Sequence, residues 1–383
     1  MQAAISKRPS KNTRRLNPLE YTVTPQALFC TVFSLFIVLS FMERIYSPGK
    51  SSGTFNSAIT LLYVGFGVAI IAAHLKSLRF DGFDLAAFVA VAYFAFHSYG
   101  QRSFLYATIV VGIYCFIKIR LSNLAIVHRL LVCLGLLCCL AFCLGSSRWS
   151  GFFTSSAPVF ALVMTCSVLY LLFSPQSGKI DYVLAAIATA MIAMTQTRIL
   201  LLAALVLWVG RFAKRRLKSF ENFLKAHKII AAVLILAFAV FIALNYEDIL
   251  GLVSRDGGDD SNRTRIKLMT GAISQWVATP FSLLFGNGGG YAMAYTAMAN
   301  ASYTGNLPVH QDILMLLCDY GVIGFAVFCL ALYPAFKNWP WYCWLVLAVA
   351  TFHNVFTTGA TVLLMFMTFQ ALSTSRALEV VDV

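Results

Sequence analysis

Near the close of a long polar stretch, His310 follows Pro308 and is followed by Gln311 and Asp312. An unperturbed imidazole, with a pKa near about 6.5, can take a proton from an attacking hydroxyl. The same residue at the mouth of an apolar segment also serves as a hydrogen-bonded interfacial histidine with no chemistry. Arg102, Arg148 and Arg198 each stand at the end of an apolar segment, in connections too short to need a charge for solubility. Guanidinium forks match phosphate oxygens, and drawing arginine into hydrocarbon is costly. A group of them on one face therefore points to an anion site, although any one alone could snorkel to a lipid headgroup.

The elements that must position these groups follow from composition. Hydrophobic residues make up 60% of the 383 and charged residues 11%, with mean hydropathy +0.78, far from a soluble globular chain. Apolar blocks of spanning length recur near 26–42, 57–75, 82–99, 103–118, 123–144, 156–174, 180–196, 199–211, 229–246, 311–333, 338–356 and 359–374. Peptide groups in lipid must be satisfied within their own segment, so the blocks are helices. The expectation is an all-α polytopic membrane protein of about twelve spans, with a polar, basic cytoplasmic tail at 1–25 and a cytoplasmic tail at 375–383. Spans 1–9 fill 26–246, one large loop fills 247–310, and spans 10–12 fill 311–374. With the N-terminus inside, 20 of the 29 basic residues fall on the inner side, which puts the loop and Arg102, Arg148 and Arg198 outside. This distribution explains the +14 net charge as an orientation signal and argues against nucleic acid as a partner. Ten cysteines, mostly inside apolar blocks, show no metal-ligand spacing and read as small membrane residues.

Within the loop, 263–277 reads as an amphipathic helix lying in the membrane interface. Ile266, Met269, Ile273 and Trp276 form its apolar stripe, with Arg263, Lys267, Thr270 and Ser274 opposite and Arg265 beside the stripe. Asp259-Asp260 would cap it. The run Gly286–Gly290, including Gly288, lacks the Lys-Ser/Thr of a nucleotide loop. It is either a flexible turn or a backbone nest for phosphate. Asp312 and Asp319 share a helix face, Asp319 about 10 Å deeper, which demands an internal partner for it. His97, His353 and Asn354 also lie near outer ends.

At this point a family resemblance emerges. His310-Gln311, nine residues, then Gly321-Val-Ile-Gly324 resembles the His-(Asn/Ser/Gln)-x9-Gly-x-x-Gly signature of bacterial O-antigen ligases. Arg198 to Leu202 is similar to that family's Arg-x3-Leu motif. Arg148-x-x-Gly151-x-Phe153, and the segment from Arg263 and Arg265 to Gly288, resemble other parts of the pattern. The likeness runs from about 148 to 333 and departs at Gln196-Thr197, where a small residue is usual, and at Gln311, where Asn is commoner. It is a resemblance to the O-antigen ligase and polymerase superfamily, not to one member. It implies a metal-independent, cofactor-free glycosyltransferase of the bacterial inner membrane, with both termini cytoplasmic. The donor would be an undecaprenyl-pyrophosphate-linked glycan, and the acceptor lipid A–core or a growing glycan at the periplasmic face. It also implies His310 as base, Arg198 and Arg265 on the pyrophosphate and Arg148 assisting. A repeat-unit polymerase of the same superfamily is the alternative. A transporter of lipid-linked glycan fits less well, since the charges lie at outer ends and no internal repeat is evident.

Overall fold

A long apolar run coils because only a helix satisfies every amide and carbonyl without water. The structure is a computed structural model that describes residues 82–97, 105–119, 123–146, 148–153, 157–213, 260–292, 309, 311–353 and 359–381, with isolated positions at 65, 68 and 72. Every regular element among them is helical: α1 (Gly82–Phe96), α2 (Leu105–Ile119), α3 (Ala125–Phe142), α4 (Ala157–Phe173), α5 (Lys179–Met194), α6 (Arg198–Phe212), α7 (Asp260–Trp276), α8 (Pro280–Phe285), α9 (Asp312–Phe336), α10 (Trp341–Ala350) and α11 (Gly359–Val381). A 3₁₀ turn, Thr351–His353, follows α10. Helices α1 to α6 and α9 to α11 fall on expected spans. The expected spans near 26–42 and 229–246, and all but the isolated positions of 57–75, lie outside the described residues.

Two departures bear on the site and the tail. A single uninterrupted span was expected over 311–333, but α9 breaks at Gly321, where φ is 67° and ψ −171°. The last span was expected to end near 374, and α11 continues to Val381. No glycine or proline stops it, and Ala377-Leu378 and Val380-Val381 suit a helix.

Helix α4 is apolar all round and accordingly central, with every side chain from Phe160 to Leu172 buried. It packs against α3, α5, α6 and α11, while α9 packs against α1 and α2. The outward faces are apolar too: Phe88 is 72% exposed, Leu137 61%, Val183 60% and Val209 65%. In water such faces would expose large contiguous apolar area, whereas lipid removes the cost. Helices α3 and α9 are long and apolar enough to cross a membrane. A bundle with such outward faces suits a lipid environment.

Its two ends differ chemically. At one end lie the start of α1, the end of α2, the start of α3, the start of α5 and the end of α6, and cations there have partners. Lys118 pairs with Asp84 at 2.7 Å, and the Tyr114 hydroxyl also donates to Asp84. Arg129 grips Asp181 with two bonds, 2.7 and 2.9 Å. Arg211 donates to the Tyr182 hydroxyl at 2.9 and 2.6 Å. Between the ends, His128 links α3 to Ser167 of α4 and Thr368 of α11, each at 3.2 Å. The opposite end gathers the end of α1, the α3–α4 connection, the α5–α6 turn, the start of α9 and the short helices α7 and α8.

Candidate functional site

The arginine corner is built from two connections that the chain separates by some fifty residues. After α3 the backbone turns at Gly151, whose φ is 56°; a Cβ there would sit 2.2 Å from the Phe160 ring. Phe152 and Phe153 are buried and anchor the turn, Phe152 edge-on to Phe160 with ring centres 5.1 Å apart. This holds the preceding segment against the α5–α6 turn, where the Trp149 amide donates to the Met194 carbonyl at 3.1 Å. Arg148 Nε donates to the Thr195 carbonyl at 2.7 Å. Three residues beyond Thr195, Arg198 opens α6.

The turn itself is held by its threonines. Thr195 Oγ1 donates to the Ile192 carbonyl at 2.6 Å and lies 3.0 Å from Thr197 Oγ1. Thr197, the residue before α6, does not cap the helix with its side chain. Between the two threonines, Gln196 has φ 57°, the one positive value on a non-glycine residue among the described residues. Ala193, Gln196, Thr197, Arg198 and Leu201 line an open cleft of about 340 Å³ here. A cation on the first residue of a helix opposes the helix dipole, which is positive at that end. An anion in the cleft would meet both the guanidinium and the helix N-terminus.

The second group is the glycine turn seated in the break of α9. Breaking a helix strands carbonyls, and each has found a donor. The Cys318 carbonyl accepts from the Asn287 amide at 3.0 Å and from Asn287 Nδ2 at 3.1 Å. That of Asp319 accepts from the Gly288 amide at 2.8 Å, and that of Tyr320 from the Tyr93 hydroxyl at 3.1 Å. The Asp319 carboxylate, 2% exposed, accepts from the amides of Gly290 at 2.9 Å and Ala292 at 2.7 Å. Gly289 donates to the His97 carbonyl at 3.1 Å, which ties α1 to the same turn. Close approach explains the glycines. A Cβ on Gly321 would lie 2.3 Å from the Leu284 carbonyl oxygen, and one on Gly286 would lie 2.3 Å from that of Asp319. The Gly-x-x-Gly of the sequence signature is thus a packing device, its second glycine facing Tyr93 and the Tyr320 Cβ.

The sequence expectations fare differently. Arg148 and Arg198 come together at one turn, both with exposed side chains. Gln311 caps α9, its carbonyl oxygen accepting from the Leu314 amide. Asp312, the first residue of that helix, is fully buried. The Gly288 amide faces α9, donating to the Asp319 carbonyl, and the amides of Gly290 and Ala292 hold the Asp319 carboxylate. The run is not a loose turn, since the bonds above fix it. Arg263 and Arg265 fall in α7, their side chains outside the described residues, as are Arg102, His310 and Asn354; His353 ends the 3₁₀ turn.

The stripe of α7 needs correction. Met269 and Trp276 pack on the core, but Ile273 is 44% exposed, while Leu268 and Ala272 are buried. The helix packs on α9 rather than lying only on lipid, and close helix approach favours a small residue such as Ala272 at the contact. Trp276 Nε1 donates to the Leu283 carbonyl at 3.1 Å, and the Tyr291 hydroxyl to Gln275 Oε1 at 3.0 Å. Tyr93, Gln275 and the Thr195 carbonyl were not foreseen as supports, because nothing local in the sequence marks a tertiary hydrogen bond.

Fold and site together define a helical bundle with apolar outward faces, a cationic cleft at the α5–α6 turn and a braced glycine turn at the break of α9. Residues 183–329 match the family model described as O-antigen ligase. That segment runs from α5 into α9 and contains Arg198, Arg265 and His310. A comparison with curated proteins finds no match.

Proposed function

We propose that the protein is an inner-membrane glycosyltransferase that moves a glycan from undecaprenyl pyrophosphate to an acceptor hydroxyl at the periplasmic face. The transfer is that of an O-antigen ligase joining O-antigen to lipid A–core. The observation that carries this reading is the arginine corner: Arg148 braced on the Thr195 carbonyl, with Arg198 opening α6 at the cleft.

In this reading the acceptor hydroxyl gives its proton to His310 as its oxygen attacks the anomeric carbon. The bond from that carbon to the pyrophosphate oxygen breaks as the new one forms, so the centre inverts. The leaving pyrophosphate gathers negative charge, which Arg198 and Arg265 hold, with Arg148 assisting. Gln311 supports His310 from the next position by fixing the start of α9.

The test is transfer of glycan from lipid-linked donor to acceptor in proteoliposomes. His310→Ala and Arg198→Ala are each expected to lower the rate by about a hundredfold or more, in line with loss of general-base and charge-stabilising groups. Undiminished transfer by His310→Ala would remove the base from the mechanism. A deletion strain is expected to accumulate long unattached chains on the lipid carrier; single-repeat glycan would point to a polymerase instead.

A further inference from the structure

We infer that the elbow between α7 and α8 is a lipid-docking surface, a wedge whose outward side chains rest among the acyl chains of the outer leaflet. The inference rests on the membrane placement in the reading above, with α9 as a span, and not on the transfer chemistry. The side chains of α8 are inverted relative to a helix in water. Its exposed residues are Pro280, Phe281, Leu283 and Leu284, with Phe281 65% exposed, while its one polar residue, Ser282, is buried. A surface helix in water buries the apolar side chains and shows the polar ones.

The polar groups of the elbow turn inward. Ser274 Oγ donates to the Gly271 carbonyl at 2.8 Å, and Ser282 Oγ to that of Thr279 at 3.0 Å. Thr279 Oγ1 accepts from the Ser282 amide at 3.0 Å, and Trp276 Nε1 donates to the Leu283 carbonyl. The glycine turn that follows gives its Asn287, Gly288, Gly290 and Ala292 amides to α9. Non-helical backbone is tolerated at membrane depth only where protein satisfies it, and this turn meets that condition.

The depth follows from the break in α9. Gly321 packs against the Leu284 carbonyl, so α8 lies level with the break. Beyond it α9 has only Val322–Phe336 before the exposed, polar Lys337 and Asn338. At about 1.5 Å per residue that segment rises about 22 Å, against a hydrocarbon thickness of about 30 Å. The break, and α8 with it, therefore sits about 8 Å below the outer hydrocarbon edge. The outward face of α9 begins at Val322 beside α8 and runs through Leu330 and Tyr333, so the apolar patch of the elbow joins the outward face of the span. Along α7 the exposed residues change from Lys267 and Thr270 to Ile273 and Val277, which slopes that helix from the headgroups down to α8. Docked in this way, the elbow holds the outer segment at the level where a lipid-linked donor presents its pyrophosphate.

Spin-label accessibility of the full-length protein in proteoliposomes of phosphatidylethanolamine and phosphatidylglycerol tests this. A ketone-bearing phenylalanine analogue replaces Phe281 in one variant and Leu284 in another, and is coupled to a hydroxylamine nitroxide that leaves the native cysteines untouched. The same label at Lys267 and at Leu137 gives references for the water side and for the outward face of α3. In place of Phe281 and of Leu284 the nitroxide is expected to respond to molecular oxygen as it does at Leu137, and to lose the response to a water-soluble nickel chelate seen at Lys267. Chelate access at either position would overturn the inference. So would protection from both agents, the mark of a protein segment covering the elbow. Chelate access at Leu137 as well would remove the membrane placement and the wedge together, whereas access at the elbow with Leu137 in lipid would remove only the wedge.

Discussion

Replacing Gly321 with alanine probes the join between α9 and the glycine turn. The backbone there has φ 67°, and a Cβ would stand 2.3 Å from the Leu284 carbonyl oxygen, 2.4 Å from its carbon and 2.6 Å from the Gly286 nitrogen. All three are main-chain atoms, so no side-chain rotation relieves the clash. Gly145 provides the control, with φ 82° and nothing within 4 Å of its Cβ position. Gly145→Ala should therefore cost only the left-handed strain, about 1–2 kcal/mol. Gly321→Ala carries that strain and must also push the end of α8 from α9. At least two of the bonds that Asn287, Gly288 and the Asp319 carboxylate make would then stretch or break, adding about 2 kcal/mol at a net value near 1 kcal/mol each. The measurement is unfolding of both variants in the same detergent, followed by hydrogen exchange at residues 286–292. The expected result is a clear gap between the variants, with amide protection lost only in Gly321→Ala. Equal destabilisation by the two would refute the packing argument.

Other perturbations have equally definite outcomes. Asp319→Ala should lose about 2–3 kcal/mol and expose the Gly290 and Ala292 amides to exchange, since both donate to the removed carboxylate. Arg148→Lys should not restore the transfer rate lost in Arg148→Ala, because the planar Nε that reaches the Thr195 carbonyl is missing; full rescue by lysine would show that charge alone suffices. Exchanging the partners in Arg129→Asp with Asp181→Arg should recover part of the stability lost by either change alone, read by thermal unfolding as a double-mutant cycle. Tyr93→Phe should lower stability by about 1 kcal/mol, because the Tyr320 carbonyl at the break of α9 loses its hydroxyl donor.

The helices were legible because their apolar runs are long and continuous, although among the described residues α3 and α9 alone combine the length and apolarity needed to cross a membrane. Arg148 and Arg198 were legible as members of a group with Arg102, each at the end of an apolar segment. Their mechanical link was not, because it runs through the main-chain carbonyl of Thr195, which any residue possesses. The glycine run was legible as a turn or a nest but not by its partner: the carboxylate that its Gly290 amide holds is that of Asp319, 29 residues away in the chain. The apolar stripe of α7 was misplaced because periodicity weighs side-chain size. A protein neighbour rewards close approach, so Ala272 is inside and Ile273 outside. Gln196 stood out in sequence only as an unusual neighbour for Arg198, and its left-handed backbone appears only once the turn is folded.

The seat of Asp319 also dictates an order of assembly. Residues 286–292 leave the ribosome before the carbonyls and carboxylate they will grip, which belong to positions 318 and 319. The segment therefore has to wait, its amides served by water, until α9 has formed. A nascent chain halted ahead of α9 should expose this region to protease, and release of the stall should close it.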